Sequence, residues 1–283
     1  MEAFNKINAL KIFLREKKEK GKSIGFVPTM GALHEGHLSL LEHSHQQNDI
    51  TVVSIFVNPT QFNDPNDLKK YPRTLNKDLH LLEQKGCDAV FIPIIEEIYP
   101  EAENHEINFD IGYLDSIMEG KNRPGHFKGV VQVVYRLFDI VKPDKAYFGE
   151  KDFQQLAVIK KMTSTLELPV DIIACPIIRE TDGLAMSSRN QLLTQTQRKS
   201  AGLINKILAK AKEKRNELSV PALKNWVVSN INENPFLQTE YFEIVDEKTF
   251  QPVENWNQTA MPRAFIAVKT GSVRLIDNMK FYS

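Results

Sequence analysis

The feature that most constrains the fold of this chain is the alternation of short apolar runs with stretches of helical periodicity through its first two thirds. The apolar runs predict strands over residues 23–27, 50–57, 89–92, 145–148 and 170–174. Between them, apolar residues recur at helical spacing over residues 38–47, 76–85, 129–141 and 153–166. Because strands that alternate with helices form a parallel sheet covered on both faces, the pattern predicts a doubly wound, Rossmann-like α/β fold.

The alternation of predicted strands and helices ends after about residue 180. Helical periodicity predicts one long charged helix over residues 194–217 and a second helix over 220–232, and strands follow at 241–245 and 264–268. The turns here are rich in Asn, Gly and Asp. We therefore expect a Rossmann-like domain over residues 1–180, a smaller C-terminal α+β lid domain over residues 181–283, and a hinge near residues 179–188.

Composition and charge indicate which kinds of molecule this protein binds. Lys plus Arg and Asp plus Glu number 36 each, so no overall positive field attracts nucleic acid or an anionic membrane. Residues 1–23 lack the apolar core of a signal peptide, and no apolar run reaches the roughly 18 residues of a membrane span. Cys87 and Cys175 follow no metal or disulfide spacing. We expect a reduced cytoplasmic protein that acts on small molecules and has two core thiols.

The segment from Gly25 to His37 carries the strongest chemical pattern. An apolar strand runs into a turn at residues 28–31 and then into a helix whose first turn contains His34 and His37. Residues three apart share one face of a helix, so both imidazoles lie beside the N–H groups and the positive dipole end that bind phosphates. The spacing differs from the four-residue spacing of zinc proteases, so zinc is not expected. Taken alone, such a pair is more often structural than functional.

Two further segments have a structural and a functional interpretation. Residues 186–190, Met-Ser-Ser-Arg-Asn, form either a helix cap or a phosphate clamp. In residues 148–155, Asp152 and Gln155 have the spacing of a capping box at the start of a helix. Lys151 opposes the dipole at that helix start, and a bound phosphate would reverse the sign of this effect.

Two turns are less specific. Residues 57–62 end a predicted strand, and the side-chain amide of Gln61 is suited to a hydroxyl or carboxylate group. Residues 123–129, Arg-Pro-Gly-His-Phe-Lys-Gly, form a basic turn before an apolar helix. The second turn suits an anion, with a plain loop as an equally good alternative.

Taken together and in order, these blocks resemble the pantoate-beta-alanine ligase family over nearly the whole chain. The resemblance rests on residues 27–37, 53–59, 71–74, 123–126, 148–155, 182–190 and 274–278. One departure is Thr60, where the family commonly has Met or Leu.

The resemblance implies an ATP-dependent reaction. Pantoate is activated as pantoyl adenylate with release of pyrophosphate, and β-alanine then displaces AMP to give pantothenate. It also implies Mg²⁺ with ATP, bound mostly by phosphates and water, and a homodimer.

The resemblance further implies a role for each matching residue. The catalytic residues are His37, the proposed proton donor, with His34 and Lys151. ATP is bound by these three together with Met30, Gly149, Asp152, Ile178, Met186, Ser187, Ser188 and Arg189. Gln61, Gln155 and Met30 bind pantoate, and Gln61 also binds β-alanine. Asp78 is a weak candidate for Mg²⁺, against the alternative of a surface helix residue.

Two other functions share some of these features. A nucleotidyltransferase would keep the two histidines and the Ser-rich segment but would not need two glutamines for a hydroxy acid. A non-catalytic nucleotide-binding module need not keep His34, His37, Lys151 and the Ser-Ser-Arg segment together. The neutral charge disfavours a tRNA synthetase.

Overall fold

The chain forms two compact units in a computed structural model that describes residues 1–101 and 107–282. The first unit is Met1–Pro176 and the second is Ile177–Ser283, so the division falls slightly before the predicted boundary after residue 180. Each unit has its own hydrophobic core. Among the described residues, no helix has both the length and the apolar character that a membrane span requires.

The first unit is built on a six-stranded sheet in the spatial order β1-β4-β3-β2-β5-β6. The strands are β1 (Glu2–Phe4), β2 (Ile24–Thr29), β3 (Ile50–Ile55), β4 (Ala89–Phe91), β5 (Lys145–Gly149) and β6 (Asp171–Cys175). All paired strands are parallel. Every residue of β3 is buried, as a sheet covered on both faces requires. The predicted α/β fold is therefore confirmed, although the short strand β1 was not predicted.

Eight helices accompany this sheet in the described part of the first unit. They are α1 (Ile7–Glu19), α2 (Glu35–Gln47), α3 (Pro65–Lys70), α4 (Leu75–Gln84), α5 (Ile95–Ile98), α6 (Met118–Asn122), α7 (His126–Val141) and α8 (Phe153–Thr165). The four predicted helices correspond to α2, α4, α7 and α8. Helix α7 begins earlier than predicted, after Gly125, whose φ of 80° ends the preceding turn.

The second unit has the predicted α+β character. It contains α9 (Gln195–Ala201), α10 (Leu203–Glu213), α11 (Val220–Asn232) and an antiparallel sheet of β7 (Gln238–Asp246), β8 (Pro262–Thr270) and β9 (Val273–Lys280). The prediction of one helix over residues 194–217 is wrong, because the helix is interrupted at Gly202, between α9 and α10. A Cβ at Gly202 would lie 2.5 Å from the Asp182 carboxylate. Strand β9 was missed because polar residues interrupt its apolar pattern.

The strand order determines where a ligand site is expected. From β2, the chain adds β3 and β4 on one side of the sheet and β5 and β6 on the other. Ligands of doubly wound sheets bind beyond the carboxyl ends of the strands at such a switch point. The segments that follow β2 and β5 are residues 30–34 and the 3₁₀ turn Glu150–Asp152. Both predicted phosphate-binding motifs of the first unit therefore flank the switch point.

Candidate active site

The two histidines of the first motif lie side by side at the start of α2. His34 is the N-cap of that helix, and its Nδ1 accepts a hydrogen bond from the backbone N–H of Gly36 at 3.2 Å. Because Nδ1 is the acceptor, the proton of the neutral ring is on Nε2. The ring centroids of His34 and His37 are 4.1 Å apart. One imidazole thus caps the helix and keeps an N–H donor beside the other.

His37 has an environment that keeps its imidazole neutral. Its Nδ1 is buried and has no hydrogen-bond partner among the residues that the structure describes. Burial, followed by electrostatic interaction with His34 and with Lys151, lowers the pKa of His37 well below 6.5. Lys151 therefore acts electrostatically on His37, whereas its role in binding phosphate stays a prediction. An unsatisfied buried nitrogen at a helix N-terminus is a group that a ligand can satisfy.

The turn before His34 is held by a buried carboxylate that the sequence did not reveal. Gly31 and Ala32 both have positive φ, at 76° and 50°. The carboxylate of Asp78 accepts hydrogen bonds from the backbone N–H groups of Ala32 and Leu33, both at 2.8 Å, and from the Thr74 hydroxyl at 3.0 Å. Asp78 is 1% exposed, so the alternative of a surface helix residue is wrong.

The hydrogen bonds of Asp78 affect whether its carboxylate is available as a ligand for Mg²⁺. The carboxylate of Asp78 already accepts three hydrogen bonds within the fold. No cluster of three or more His, Cys, Asp or Glu side chains in the described residues could hold a metal ion. The residues present therefore do not form a protein cage for Mg²⁺, and the assignment of Asp78 to this ion stays a prediction.

The structure brings together two residues predicted to bind the same substrate, Met30 and Gln61. Gln61 ends a 3₁₀ turn, Pro59–Gln61, that follows β3, and it is only 8% exposed. Its Nε2 lies 2.8 Å from the sulfur of Met30, and Asn58 Nδ2 lies 3.4 Å from its Oε1. The Thr60 hydroxyl donates to Asn58 Oδ1 at 3.1 Å. Thr60, which stands where the family commonly has Met or Leu, therefore forms its hydrogen bond within the turn.

The segment after β5 carries the other predicted residues of the first unit. Lys151 Nζ lies 3.7 Å from Asp152 Oδ1. Asp152 occupies the N-cap position of α8 without a side-chain capping hydrogen bond, so the predicted capping box is wrong. A Cβ at Gly149 would meet no atom within 4 Å, which leaves open space at the end of β5. Gln155 is half-buried in the first turn of α8.

A cavity of about 380 Å³ opens at the carboxyl ends of β2, β3 and β4. Its lining includes Met30, Phe56, Val57, Arg73 and Asp78. The cavity thus connects the turn held by Asp78 with the end of β3. A volume of this size is typical of a small-molecule site.

In the second unit, the predicted ATP-binding residues lie in and after a hairpin. The backbone N–H of Met186 donates to the carbonyl oxygen of Ile178 at 3.0 Å. Ser187 Oγ accepts from the backbone N–H of Arg189 at 3.3 Å and caps the 3₁₀ helix Ser188–Leu192. Ser188 is buried. The helix-cap interpretation of this segment is confirmed, whereas its role as a phosphate clamp stays a prediction.

The same hairpin is anchored by an ion pair that sequence analysis missed. Arg179 donates to both carboxylate oxygens of Asp277, at 2.7 and 3.0 Å, and the Asp277 side chain is 3% exposed. The two residues lie 98 positions apart, so no local pattern indicates their contact.

A doubly wound sheet with paired imidazoles and a lysine at its switch point defines a nucleotide-binding class of α/β protein. The family model for pantoate-beta-alanine ligase matches residues 2–280. The chain therefore belongs to the pantoate-beta-alanine ligase family. It is a ligase, and its family forms pantothenate.

Named relatives agree with this assignment over their full length. Pantothenate synthetase of Porphyromonas gingivalis is 52% identical over 281 residues, and that of Bacteroides fragilis is 50% identical over 281 residues; each alignment covers 99% of both chains. The crystal structure of pantothenate synthetase from Thermus thermophilus superposes with a TM-score of 0.93 at 39% identity, over 100% of both chains.

One relative was solved with ligands. The pantoate-beta-alanine ligase of Francisella tularensis, complexed with beta-gamma ATP and beta-alanine, has a TM-score of 0.83 and 37% identity. The alignment covers 99% of this chain and 98% of the relative.

Proposed function

We propose that this chain condenses pantoate with β-alanine at the expense of ATP, through an enzyme-bound pantoyl adenylate, and releases AMP and pyrophosphate. The observation that carries the proposal is the contact of His34 and His37 at the start of α2, beside the charge of Lys151. The family assignment and the ligands of the Francisella tularensis relative support the choice of substrates.

In the first step, a carboxylate oxygen of pantoate attacks the α-phosphorus of ATP. The bond from this phosphorus to the bridging oxygen of the β-phosphate breaks, and pyrophosphate leaves. Negative charge builds up on the phosphate oxygens, so pre-positioned donors lower the barrier. His34 supplies its Nε2–H, His37 donates a hydrogen bond from its neutral ring, and Lys151 supplies a positive charge.

In the second step, the amine of β-alanine attacks the acyl carbon of the adenylate. The bond between this carbon and the phosphate oxygen breaks, AMP leaves, and the amine loses a proton as the amide forms. A mixed anhydride is needed because a free carboxylate is a poor acylating agent. Protein groups act mainly by holding the two reactants in reach of each other.

We assign the remaining residues by the chemistry of their side chains. The amides of Gln61 and Gln155 bind the hydroxyl and carboxylate groups of pantoate next to Met30, and Gln61 also contacts β-alanine. Gly149, Asp152, Ile178 and Met186 contact the nucleoside. Ser187, Ser188 and Arg189 bind phosphate oxygens, with Arg189 as the charged donor.

Three further features complete the proposal. Mg²⁺ binds with ATP through phosphate oxygens and water, and it neutralises phosphate charge. The enzyme is a cytoplasmic homodimer. The neutral charge balance leaves no general attraction for nucleic acid.

The test measures AMP and pyrophosphate from ATP with Mg²⁺, with pantoate and β-alanine added separately and together. AMP that appears only when both are present supports the ligase. Pyrophosphate without AMP under every condition would instead indicate a nucleotidyltransferase, and no turnover would indicate a binding module. A His34→Ala, His37→Ala double variant is the control for contaminating ATPase, because both proposed donors to the phosphate are removed.

A further inference from the structure

The basic turn at residues 123–129 has no part in the proposed chemistry, yet it contacts a substrate residue. His126 is the first residue of α7 and is 6% exposed. Its Nδ1 lies 2.8 Å from the backbone carbonyl oxygen of Gln61, and its Nε2 lies 3.1 Å from Arg123 Nη1. Both ring nitrogens therefore have a partner, one on each side of the ring.

The two partners determine the tautomer of His126. A guanidinium group can only donate and a carbonyl oxygen can only accept, so Nε2 accepts from Arg123 and Nδ1–H donates to Gln61. Burial, and then the charge of Arg123, lowers the pKa of His126 to about 4, while the hydrogen bond to the Gln61 backbone and the charges of Glu119 and Asp152 act in the opposite direction. The ring is therefore neutral, with its proton on Nδ1, at neutral pH.

Helix α7 also contacts the same turn through its backbone. A Cβ at Gly129 would lie 2.3 Å from the carbonyl oxygen of Thr60 and 2.6 Å from the backbone nitrogen of Gln61. Asn58 Nδ2 donates to the carbonyl oxygen of Gly129 at 3.1 Å. The turn after β3 thus rests directly on the first two turns of α7, and only glycine permits this approach.

We propose that His126 is a positioning residue for Gln61: its Nδ1–H fixes the Gln61 backbone and thereby the reach of the Gln61 amide toward the hydroxy-acid substrate. Arg123 acts on the Gln61 backbone indirectly, because its hydrogen bond to His126 Nε2 selects the tautomer that has its proton on Nδ1. This inference rests on the proposed function, in which Gln61 binds pantoate.

The test compares two substitutions, each of which places an amide nitrogen at the position of a different ring nitrogen of His126. In His126→Asn the amide nitrogen takes the place of Nδ1, whereas in His126→Gln it takes the place of Nε2. We expect the KM for pantoate to rise about tenfold in His126→Gln, the equivalent of one lost hydrogen bond, and to stay within about twofold in His126→Asn. The KM for ATP should stay within about twofold in both variants.

The stability of the variants separates positioning from folding. Both substitutions remove the imidazole ring, whose centroid lies 5.1 Å from that of the Phe127 ring. The midpoint temperature of thermal unfolding should therefore fall by similar amounts in both variants. Equal pantoate KM values in the two variants, or a parallel rise in the KM for ATP, would overturn the role of His126. A wild-type enzyme that does not consume pantoate would instead refute the proposed function itself.

A second measurement needs no substitution. Long-range ¹⁵N–¹H NMR of the wild-type protein with labelled histidine reports which ring nitrogen carries the proton. We expect His126 to be protonated on Nδ1. Protonation on Nε2 would exclude donation to Gln61 and overturn the inference, even if His126→Gln does not fold.

Discussion

The carboxylate of Asp78 holds the backbone of Ala32, two positions before the first histidine of the site. Asp78 Oδ2 lies 2.8 Å from the Ala32 nitrogen, and Ala32 has a φ of 50° and no exposed surface. A non-glycine residue in this left-handed region costs about 1–2 kcal/mol. The hydrogen bonds to Asp78 offset that cost, so α4 determines the conformation from which His34 and α2 begin.

The first prediction concerns Asp78→Asn. The amide has one acceptor oxygen where the carboxylate has two, so one buried backbone N–H of residues 32–33 loses its partner. We expect the free energy of unfolding to fall by about 2 kcal/mol and kcat to fall about tenfold. Urea unfolding and the rate of AMP release measure the two effects. Wild-type values of both would show that the carboxylate does not hold the turn.

A second substitution separates the two effects. In the Ala32→Gly, Asp78→Asn double variant, glycine adopts positive φ without strain, whereas the unpaired N–H remains. We expect kcat to recover more than stability does. Thr74→Val is the matched control, because it removes only the hydroxyl that donates to Asp78 at 3.0 Å.

The second prediction concerns His37. Its Nδ1 forms no hydrogen bond with the described residues, so His37→Ala should change the free energy of unfolding little, by about 0.5 kcal/mol. Loss of a hydrogen-bond donor to the developing phosphate charge should lower the rate of pyrophosphate release by about 10²–10³-fold. His45→Ala is the control, since His45 is exposed on the same helix. An unfolded His37→Ala protein would mean that the imidazole is part of the core.

The parts of the site that local sequence predicts are those made by contiguous residues. The apolar runs of β2, β3 and β5 predict buried strands, and the polar residues just after them, such as Gln61 and Lys151, belong to the edge where ligands bind. Local pattern also gave four of the eight helices that accompany this sheet in the described part of the first unit.

What the sequence did not predict depends on contacts between distant residues. Asp78 lies 46 positions from Ala32, and it looks like an ordinary helix residue until the fold buries it. His126 reaches the Gln61 backbone across 65 positions. The break at Gly202 was missed because helical periodicity continues on both sides of it, and only the nearby Asp182 requires a glycine there.

The third prediction is a pH dependence that follows from His126. Its pKa is about 4 in the folded protein and 6.5 in the unfolded chain, so the unfolded state binds the proton first as pH falls. The contribution of His126 is complete above pH 6.5 and is lost as pH falls to 4, by about 3 kcal/mol in total. His126→Asn should unfold in urea with a shallower pH dependence over this range. Parallel curves for the two proteins would contradict the shift.

The fourth prediction concerns the anchor of the Ile178–Met186 hairpin. Arg179→Ala leaves the buried Asp277 carboxylate without its bidentate partner, so we expect stability to fall by about 3 kcal/mol. Because this hairpin carries two proposed nucleoside contacts, the KM for ATP should rise more than the KM for pantoate.

The control for this ion pair replaces both charges. The Arg179→Met, Asp277→Leu double variant removes the buried charge together with its partner, so most of the lost stability should return. Arg179→Lys keeps the charge but has no planar fork to contact both oxygens, so it should be intermediate. Urea unfolding ranks the three variants. If Arg179→Ala is as stable as the wild type, Asp277 does not depend on Arg179, and the hairpin has another anchor.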